Sequence, residues 1–376
     1  MAMISYLTRI HFADDILQEA VKAECEAFSV RRPLVVTDPG LVKLGLVERL
    51  LDALAAVKVT LYDQTPANPD EASVREAVAL FQSEGCDSIF AMGGGSSLDL
   101  AKAVALLATH DGPLTQYAAI EGGVARIQNT LPPLIAIPTT AGTGSEVGRG
   151  ALIVFDDGVK RGILSPHLIP KAAICDPVLT LDLPARLTAG TGMDALTHCV
   201  ETYISAAYNP PADGIALDGL RRAATNIERA VNDGHDIAAR REMMASALNG
   251  ALAFQKGLGG VHAISHALGG GKGRNLHHGT LNAILLPHIL TFNAPAAEHK
   301  YPDLLAAMGL PAGKDVSDAM FQLSQKIGLP TTLSALGVDR DVTNDAAPLA
   351  EADHTNGTNP RRATASDYAA IMAAAL

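Results

Sequence analysis

The sequence of 376 residues contains no tryptophan, few aromatic residues (4%) and only four cysteines. Cys25, Cys86, Cys175 and Cys199 form no C-x-x-C pair and no spacing typical of a disulfide framework. We therefore expect reduced thiols and a cytoplasmic protein. Cys199 adjoins His198 and could be read as a nucleophile, but free cysteine more commonly packs as a small buried apolar side chain.

Long apolar runs and basic clusters are also missing. Gly, Pro or charged residues interrupt each apolar run before the roughly 20 residues that span a bilayer, and the first residues lack the pattern of a signal peptide. The 29 Lys and Arg against 40 Asp and Glu give a net charge of −11. This charge argues against nucleic acid and anionic membrane as partners, and leaves a small molecule as the expected ligand.

What is present is an ordinary globular composition, with 48% hydrophobic and 18% charged residues. A chain of this length exceeds what one core usually supports, so we expect two domains. Apolar runs at 32–38, 57–63, 87–92 and 132–138 predict strands, and helical patterns at 39–56, 70–85 and after residue 95 alternate with them. This alternation predicts an α/β domain with a parallel sheet, flanking helices and ligands at the carboxyl ends of the strands.

The pattern changes at Pro184, after which Ala- and Leu-rich segments have helical spacing. We predict an α/β domain over residues 1–183 and an all-helical domain over residues 184–376. Within the latter, the polar stretch 341–362 is expected to be loop, followed by a short closing helix in "ASDYAAIMAAAL".

Two glycine-rich turns follow predicted strands. Gly93, Gly94, Gly95, Ser96 and Ser97 lie between a strand and a helix, where backbone N–H groups and the positive helix end can hold a pyrophosphate. The second turn runs from 139 to 145 and adds hydroxyl donors. Any tight strand-to-helix connection could use such glycines, and the usual G-x-G-x-x-G fingerprint is absent.

Asp38 ends the first of these predicted strands. A carboxylate at this position can accept hydrogen bonds from a ribose 2′-OH and repel a 2′-phosphate, which favours NAD over NADP. Asp38 could also simply initiate the turn before Pro39.

The stretch "GGVHAISHALGGGKGRNLHHG", residues 259–279, contains four histidines. His262 and His266 are four residues apart, as are Asp194 and His198, so each pair shares one helix face. His277 and His278 follow the glycines. One carboxylate and three imidazoles can hold a divalent cation with a position open for substrate. The spacing does not say which histidine is the spare one.

These motifs together resemble the iron-containing (group III) alcohol dehydrogenases, which have a dehydroquinate synthase-like fold. The resemblance covers nearly the whole chain and rests on "GGGSSLDLAKA", "IPTTAGTGSEV", "KRGILSPHLIPKAAICDP", "TGMDALTHCVETY", "GLGGVHAISHALGG", "HHGTLNAILLPHILTFN" and "NPR". It implies an NAD-binding α/β domain, a helical domain carrying Fe²⁺ with Zn²⁺ as the alternative, a reaction cleft between them, and a homodimer. The implied reaction moves a hydride between NAD(H) and a small primary alcohol or aldehyde.

The resemblance also assigns site residues position by position. It implies that the metal ligands are Asp194, His198, His262 and His278, and that His266 takes part in proton transfer. It places the nucleotide at Asp38, Gly94, Gly95, Ser96, Thr139, Thr140, Thr143 and Lys160. Two departures from the family pattern concern the fourth ligand: the segment from His266 to His278 is about two residues longer, and His277 replaces a customary proline. His277 is thereby left as a competing ligand or as a group that supports one.

The substrate is the most open question, because this family acts on alcohols, diols, lactaldehyde and ω-hydroxy acids. Lys256, Lys272 and Arg274 flank the histidine motif and could receive a carboxylate such as that of 4-hydroxybutyrate. They could equally be solvated loop residues. Two other functions are considered. A lyase resembling dehydroquinate synthase would need several convergent bases, which we do not find in the sequence. A metal-storing helical protein would use the glycine-rich segments only as turns.

Overall fold

The computed structural model describes residues 8–270 and 276–376. The chain forms two compact units. We call them the sheet unit, which extends to Thr140 and resumes over Ser145–Thr180, and the helical unit, which comprises Leu181–Leu376 together with Ala141–Gly144.

A parallel sheet forms the centre of the sheet unit. The strands are β1 (Arg9–Phe12), β2 (Pro33–Val36), β3 (Thr60–Tyr62), β4 (Ser88–Gly93), β5 (Leu134–Pro138), β6 (Gly150–Val154), β7 (Lys160–Leu164) and β8 (Ala172–Cys175). Six of them pair in parallel in the order β1-β8-β5-β4-β2-β3, which confirms the predicted parallel sheet. The other two, β6 and β7, form an antiparallel hairpin that the sequence had not indicated.

The central strands are apolar on both faces because helices cover both sides of the sheet. Successive residues of a strand point to opposite faces, so Ile89 and Ala91 pack into one apolar cluster and Phe90 and Met92 into another. All four residues are fully buried. This double burial explains why these strands appear in the sequence as continuous apolar runs.

The helices of the sheet unit follow the predicted alternation with one difference. Residues 39–56, predicted as one helix, form two short ones, because Gly45 adopts a left-handed conformation with φ +69° that ends the first. The helices are α1 (Leu17–Phe28), α2 (Pro39–Lys43), α3 (Leu46–Ala53), α4 (Glu71–Ser83) and α5 (Gly95–Leu107).

The helical unit contains helices and short 3₁₀ segments, and the part of it that the structure describes has no strand. Its helices are α6 (Ala185–Ile204), α7 (Pro210–Asn232), α8 (Ile237–Ala253), α9 (Gly260–Gly269), α10 (His278–Ala297), α11 (Tyr301–Ala307), α12 (Val316–Lys326), α13 (Arg340–Ala352) and α14 (Ala365–Ala374).

The prediction of a loop over 341–362 is wrong in its first part, because α13 extends to Ala352. Asp339 caps this helix by accepting from the Val342 N–H at 3.0 Å. The buried Thr343, Ala346, Ala347 and Ala350 recur at helical spacing. Their small size concealed an amphipathic pattern among polar neighbours. The predicted closing helix is confirmed as α14.

Among the described residues, no helix is both long and apolar enough to span a membrane. The four cysteines form no disulfide, and Cys199 is fully buried, with burial raising the pKa of its thiol to about 12. A buried thiol with a raised pKa is a poor nucleophile, in line with its interpretation as a packing residue.

Candidate metal and nucleotide site

One face of α6 carries three functional groups. Asp194, His198 and Glu201 follow one another at spacings of four and three residues, so their side chains project from the same side of the helix. All three are buried, with at most 3% of each residue exposed. Buried charged or titratable groups need partners, and the neighbouring helices provide them.

Glu201 orients His262, the first histidine of α9. Glu201 Oε1 accepts from the Val261 backbone N–H at 2.7 Å, and its Oε2 lies 2.6 Å from His262 Nδ1. The opposite ring nitrogen, Nε2, lies 3.7 Å from Asp194 Oδ1. A carboxylate behind an imidazole in this way fixes the tautomer that presents Nε2 as a metal ligand. Sequence reasoning missed Glu201, although the D-x-x-x-H-x-x-E spacing on one helix was a usable signal.

His278 begins α10 and completes the group. Its Nε2 lies 3.6 Å from Asp194 Oδ1, and His198 Nε2 lies 3.7 Å from the same oxygen. Asp194, His262 and His278 each offer a ligand atom within 4.8 Å of the other two, and His198 adjoins this group through Asp194. Three Nε2 atoms thus surround one carboxylate oxygen.

These distances suit a divalent cation. Ligands at 2.0–2.2 Å from a tetrahedral ion are about 3.4 Å apart, close to the observed separations. Carboxylate and imidazole are ligand types used by both iron and zinc. The amide of Asn282 approaches the same point, with Nδ2 2.7 Å from Asp194 Oδ1, while its buried Oδ1 has no hydrogen-bond partner within the described parts of the chain. The residues present therefore fit the group that the sequence predicts.

Electrostatics also favour a cation here. Burial by itself would raise the pKa of Asp194, but the surrounding imidazoles, chiefly that of His198, hold it well below its ordinary value. Burial lowers the pKa of His198 to about 4, which leaves this imidazole neutral and able to coordinate. Burial opposes protonation of His262 as well, but the adjacent carboxylates of Asp194 and Glu201 raise its pKa to about 9. A cation bound at this point would replace the proton on His262 that these carboxylates favour.

His277 does not join the group. Its side chain is the N-cap of α10, with Nδ1 accepting from the Thr280 N–H at 3.3 Å and lying 3.0 Å from Thr280 Oγ1. The sequence left open whether His277 or His278 is the fourth ligand. The two differ in geometry, because the side chain of His278 faces Asp194 and that of His277 caps its own helix.

His266 lies one turn beyond His262 on α9. Its ring stacks on those of His278 and His354, with centroid distances of 5.5 and 6.0 Å. His266 Nδ1 lies 3.0 Å from Asp353 Oδ2, and the other oxygen of Asp353 accepts from the Thr355 N–H at 2.8 Å. Burial would raise the pKa of Asp353, but the His266 imidazole holds it well below its usual range. Sequence reasoning missed Asp353, which is 87 residues from His266 and carries no local signal.

Apart from Lys160, the predicted nucleotide residues of the sheet unit lie at the carboxyl ends of β2, β4 and β5. The Thr139 N–H donates to the Gly93 carbonyl at 3.0 Å, which brings the two glycine turns together. A methyl group on Gly94 would lie 3.4 Å from Thr140 Cγ2. Gly94 is the N-cap of α5 and supplies no side-chain acceptor, so the first N–H groups of this helix have no side-chain cap.

Two serines in this turn behave differently. Ser96, a residue that the sequence assigned to the pyrophosphate turn, donates its hydroxyl to the Ala67 carbonyl at 2.6 Å and thereby holds a neighbouring loop. Ser97 Oγ is buried and, within the described residues, has no hydrogen-bond partner. An unpartnered buried hydroxyl in the first turn of α5 fits a pyrophosphate oxygen. The second serine of "GGGSS" was the available signal for it.

Asp38 is the N-cap of α2, where its Oδ1 accepts from the Gly40 N–H at 2.8 Å. Its Oδ2 would lie 3.5 Å from a methyl group placed on Gly93, so the carboxylate borders the glycine turn. The two interpretations of Asp38, as a turn former and as a nucleotide contact, are therefore compatible. Its Oδ1 caps α2, and its Oδ2 faces the glycine turn that is expected to hold the nucleotide.

Lys160 and Thr143 lie in different units. Lys160 begins β7 and donates to Asn68 Oδ1 at 3.2 Å, within the sheet unit. Thr143 belongs to the helical unit, where its glycine neighbours pack closely. A methyl group on Gly142 would lie 2.8 Å from Thr191 Cβ, and one on Gly144 2.1 Å from Ala251 Cβ. The second glycine turn is therefore shared between the two units.

Of the three cations considered for a substrate carboxylate, Lys256 is buried and engaged elsewhere. Its Nζ donates to the Tyr203 carbonyl at 3.0 Å and pairs with Asp213. Lys272 and Arg274 lie outside the described residues.

Comparison with known proteins covers both halves of the chain. The family described as "Iron-containing alcohol dehydrogenase" matches residues 8–177, and "Fe-containing alcohol dehydrogenase family, C-terminal" matches residues 188–376. A 4-hydroxybutyrate dehydrogenase from Cupriavidus necator is 53% identical over 99% of both chains. A 1,3-propanediol dehydrogenase from Klebsiella pneumoniae is 38% identical over 98% of both.

Solved structures of oxidoreductases superimpose on nearly the whole chain. A 1,3-propanediol oxidoreductase superimposes with a TM-score of 0.93 at 37% identity, over 100% of both chains. A sulfoacetaldehyde reductase from Bifidobacterium kashiwanohense, in complex with NAD⁺, gives 0.90 at 27% identity, over 100% of this chain and 98% of that one. The chain belongs to the iron-containing alcohol dehydrogenase family and is an NAD-dependent oxidoreductase.

Proposed function

We propose that this enzyme transfers a hydride between NAD(H) and the terminal carbon of a 4-hydroxybutyrate-type ω-hydroxy acid, using a divalent cation held by Asp194, His198, His262 and His278. The observation that carries the proposal is the convergence of three Nε2 atoms, each 3.6–3.7 Å away, on Asp194 Oδ1. Iron is the proposed native metal, since the family is iron-containing.

The cation, when bound, supplies Lewis-acid polarisation of the substrate oxygen, and NAD supplies the hydride acceptor. The protein residues fix the positions of these groups. Glu201 holds His262 with Nε2 directed at Asp194, and α6 carries Asp194 and His198 one turn apart. Gly94, Gly95, Ser96, Thr139, Thr140, Thr143 and Lys160 are proposed to hold the nucleotide, with Asp38 at its ribose.

His266 is the proposed proton-transfer group. Asp353 binds its Nδ1, which leaves Nε2 as the atom that exchanges a proton with the substrate side. The stacked ring of His354 lies farther out, with 41% of its side chain exposed. His354 is therefore the proposed neighbour of His266 on the side towards solvent.

The substrate class is supported by the relative from Cupriavidus necator. Lys272 and Arg274 remain candidates for the carboxylate because of their place between His266 and His278 in the sequence. Lys256 is not proposed, because Asp213 already pairs with it.

The test is an NADH-formation assay of the iron-loaded enzyme with matched four-carbon substrates. We expect kcat/KM for 4-hydroxybutyrate to exceed that for 1-butanol and 1,4-butanediol by at least about tenfold, because a charge-assisted contact to the carboxylate contributes roughly 1.5–3 kcal/mol. A preference for the diol or the simple alcohol would refute the substrate class and leave the dehydrogenase activity intact. NADP in place of NAD should give lower kcat/KM.

A homodimer is part of the same proposal and rests on family membership. Light scattering of the purified protein tests it, and a mass of one chain contradicts it.

A further inference from the structure

The residue before the ligand His278 has an unusual role. N-cap positions are most often filled by Ser, Thr, Asp or Asn, whose side-chain oxygen accepts a backbone N–H of the first turn. Here His277 takes that position in extended conformation, and its ring nitrogen Nδ1 replaces the oxygen, accepting from the Thr280 N–H at 3.3 Å. Thr280 Oγ1 lies 3.0 Å from the same nitrogen.

The imidazole of His277 also rests on the backbone of α6. A methyl group on Gly190 would lie 2.6 Å from His277 Cε1 and 2.7 Å from its Nδ1, closer than atoms in contact approach. Gly190 therefore leaves the space that the ring occupies. It is four residues before Asp194, so the ring meets α6 one turn from the proposed ligand.

The residue after His278 makes a second close approach to the same point. A methyl group on Gly279 would lie 2.1 Å from the Gly190 carbonyl oxygen and 3.2 Å from Asp194 Cβ. The ligand His278 is thus flanked on both sides by residues that fix the distance between α10 and α6. This distance sets the 3.6 Å separation of His278 Nε2 from Asp194 Oδ1.

We propose that His277 is a positioning residue for the metal: its ring caps α10 and rests on Gly190, and so holds the backbone of His278 where Nε2 can share a cation with Asp194. This inference rests on the proposed metal site but is separable from it by experiment. It accounts for adjacent histidines with different roles, one coordinating and one capping.

The experiment measures the rate at which the iron-loaded and Co²⁺-loaded full-length protein loses metal to an excess of chelator. His277→Ala removes both cap and packing and should release metal at least about tenfold faster, in the range found for residues that support ligands. His277→Asn restores an acceptor at the cap and should stay within about threefold of the wild type. His288→Ala, which removes another histidine of α10, is the control and should not change the rate.

Gly190→Ala tests the packing while leaving the His277 side chain in place. Alanine favours the helix interior over glycine by about 1 kcal/mol, so α6 itself should gain stability. Metal release should nevertheless accelerate, because the added methyl group displaces the ring. The Co²⁺ absorption bands of His277→Asn should match those of the wild type, since no ligand changes.

Two results of the metal-release experiment would overturn the proposal. If His277→Asn and His277→Ala lose metal equally fast with altered Co²⁺ bands, His277 is itself a ligand. If neither variant changes the release rate, it positions nothing.

Hydrogen exchange of the Thr280 amide in the chelator-treated protein separates this inference from the proposed function. The cap predicts exchange about fivefold faster in His277→Ala than in the wild type, whether or not metal binds. Equal exchange shows that His277 is not a cap. Faster exchange in a protein that takes up no metal leaves the cap standing and refutes both the metal site and the positioning role.

Discussion

The imidazole of His262 lies between the carboxylates of Asp194 and Glu201, which contact opposite nitrogens of the ring. Asp194 faces the proposed cation, whereas Glu201 faces away from it and binds both His262 Nδ1 and the Val261 N–H. Removing either would disturb the same ring by different means. The outer carboxylate is the more informative, because its substitution leaves every proposed ligand in place.

Glu201→Gln should weaken metal affinity by roughly 10- to 100-fold, because the amide cannot accept both hydrogen bonds that the carboxylate accepts. Competition with a chromophoric chelator measures it. Glu242→Gln, which alters a half-buried carboxylate of α8 that pairs with Arg222, is the matched control and should retain wild-type affinity. Unchanged affinity in Glu201→Gln would show that His262 needs no support.

Asp353 acts on His266 rather than on the metal ligands. Asp353→Asn should therefore leave the metal content unchanged and lower kcat by roughly tenfold to a hundredfold, since positioned acid–base groups contribute about that or more. Steady-state kinetics together with elemental analysis measure both quantities.

The double variant Asp353→Asn/His266→Ala makes this prediction sharper. If Asp353 works through His266, the double variant is no slower than His266→Ala alone. Additive losses would mean that Asp353 contributes independently of His266.

At the scale of elements, a buried polar network joins α5 to the segment that leads into β6. Lys102 is fully buried and donates to Ser145 Oγ at 2.7 Å and to the Gly148 and Gly150 carbonyls at 2.8 and 2.7 Å. Ser145 Oγ in turn donates to Asp99 Oδ1 at 2.6 Å. The helix that begins at the glycine turn is thereby tied to the segment that follows the second turn. Glu146, next to Ser145, is also buried, and its burial gives the network a pH dependence.

Burial raises the pKa of Glu146 to about 7, against the opposing effects of a backbone hydrogen bond and of the Lys102 ammonium. A raised carboxyl pKa contributes stability that is complete below pH 4.5 and is lost as the pH rises through 7. Glu146→Gln, which cannot ionise, should therefore be more stable than the wild type at pH 8, by about 3 kcal/mol. Denaturant unfolding at pH 8 and pH 5 measures this, and the difference should shrink at pH 5. A pH-independent difference would contradict the assignment.

Helices and strands could be predicted from the sequence where consecutive residues give a strong local pattern, and were missed where that pattern is weak. The strand–turn–helix at 88–107 was predictable because a double-buried strand, three glycines and an apolar helix follow one another directly. The break at Gly45 and the helix α13 were missed, because a left-handed glycine and a face of alanines and threonine give weak local patterns.

The residues of the candidate site also differ in how far the sequence predicts their partners. Asp194 and His198, or His262 and His266, are near neighbours in sequence, so helical spacing could pair them. The partnership of His266 with Asp353 depends on packing between α9 and the segment after α13, and no local pattern encodes it. The packing of the His277 ring on Gly190 joins two helices that are distant in sequence, so no local pattern encodes it.

At the scale of the whole molecule, the proposed metal ligands lie in the helical unit, whereas most of the proposed nucleotide residues lie in the sheet unit. Metal should slow hydrogen exchange in α6, α9 and α10, and NAD should slow it in the turns around Asp38 and Gly94, because ligands stabilise the elements that bind them. Hydrogen–deuterium exchange with each ligand alone measures this. Protection by NAD confined to the helical unit would contradict the assignment of the nucleotide to the sheet unit.

The four residues Ala141–Gly144 have a practical consequence for anyone who recombines this gene with that of a relative. They interrupt the sheet unit in sequence, between Thr140 and Ser145, but their glycines pack on Thr191 and Ala251. A chimera joined after Thr180 would set one parent's tetrapeptide against the other parent's helices, where a methyl group on Gly142 or Gly144 would lie only 2.8 or 2.1 Å from a side-chain atom. Exchanged halves should therefore function only when residues 141–144 travel with the C-terminal parent.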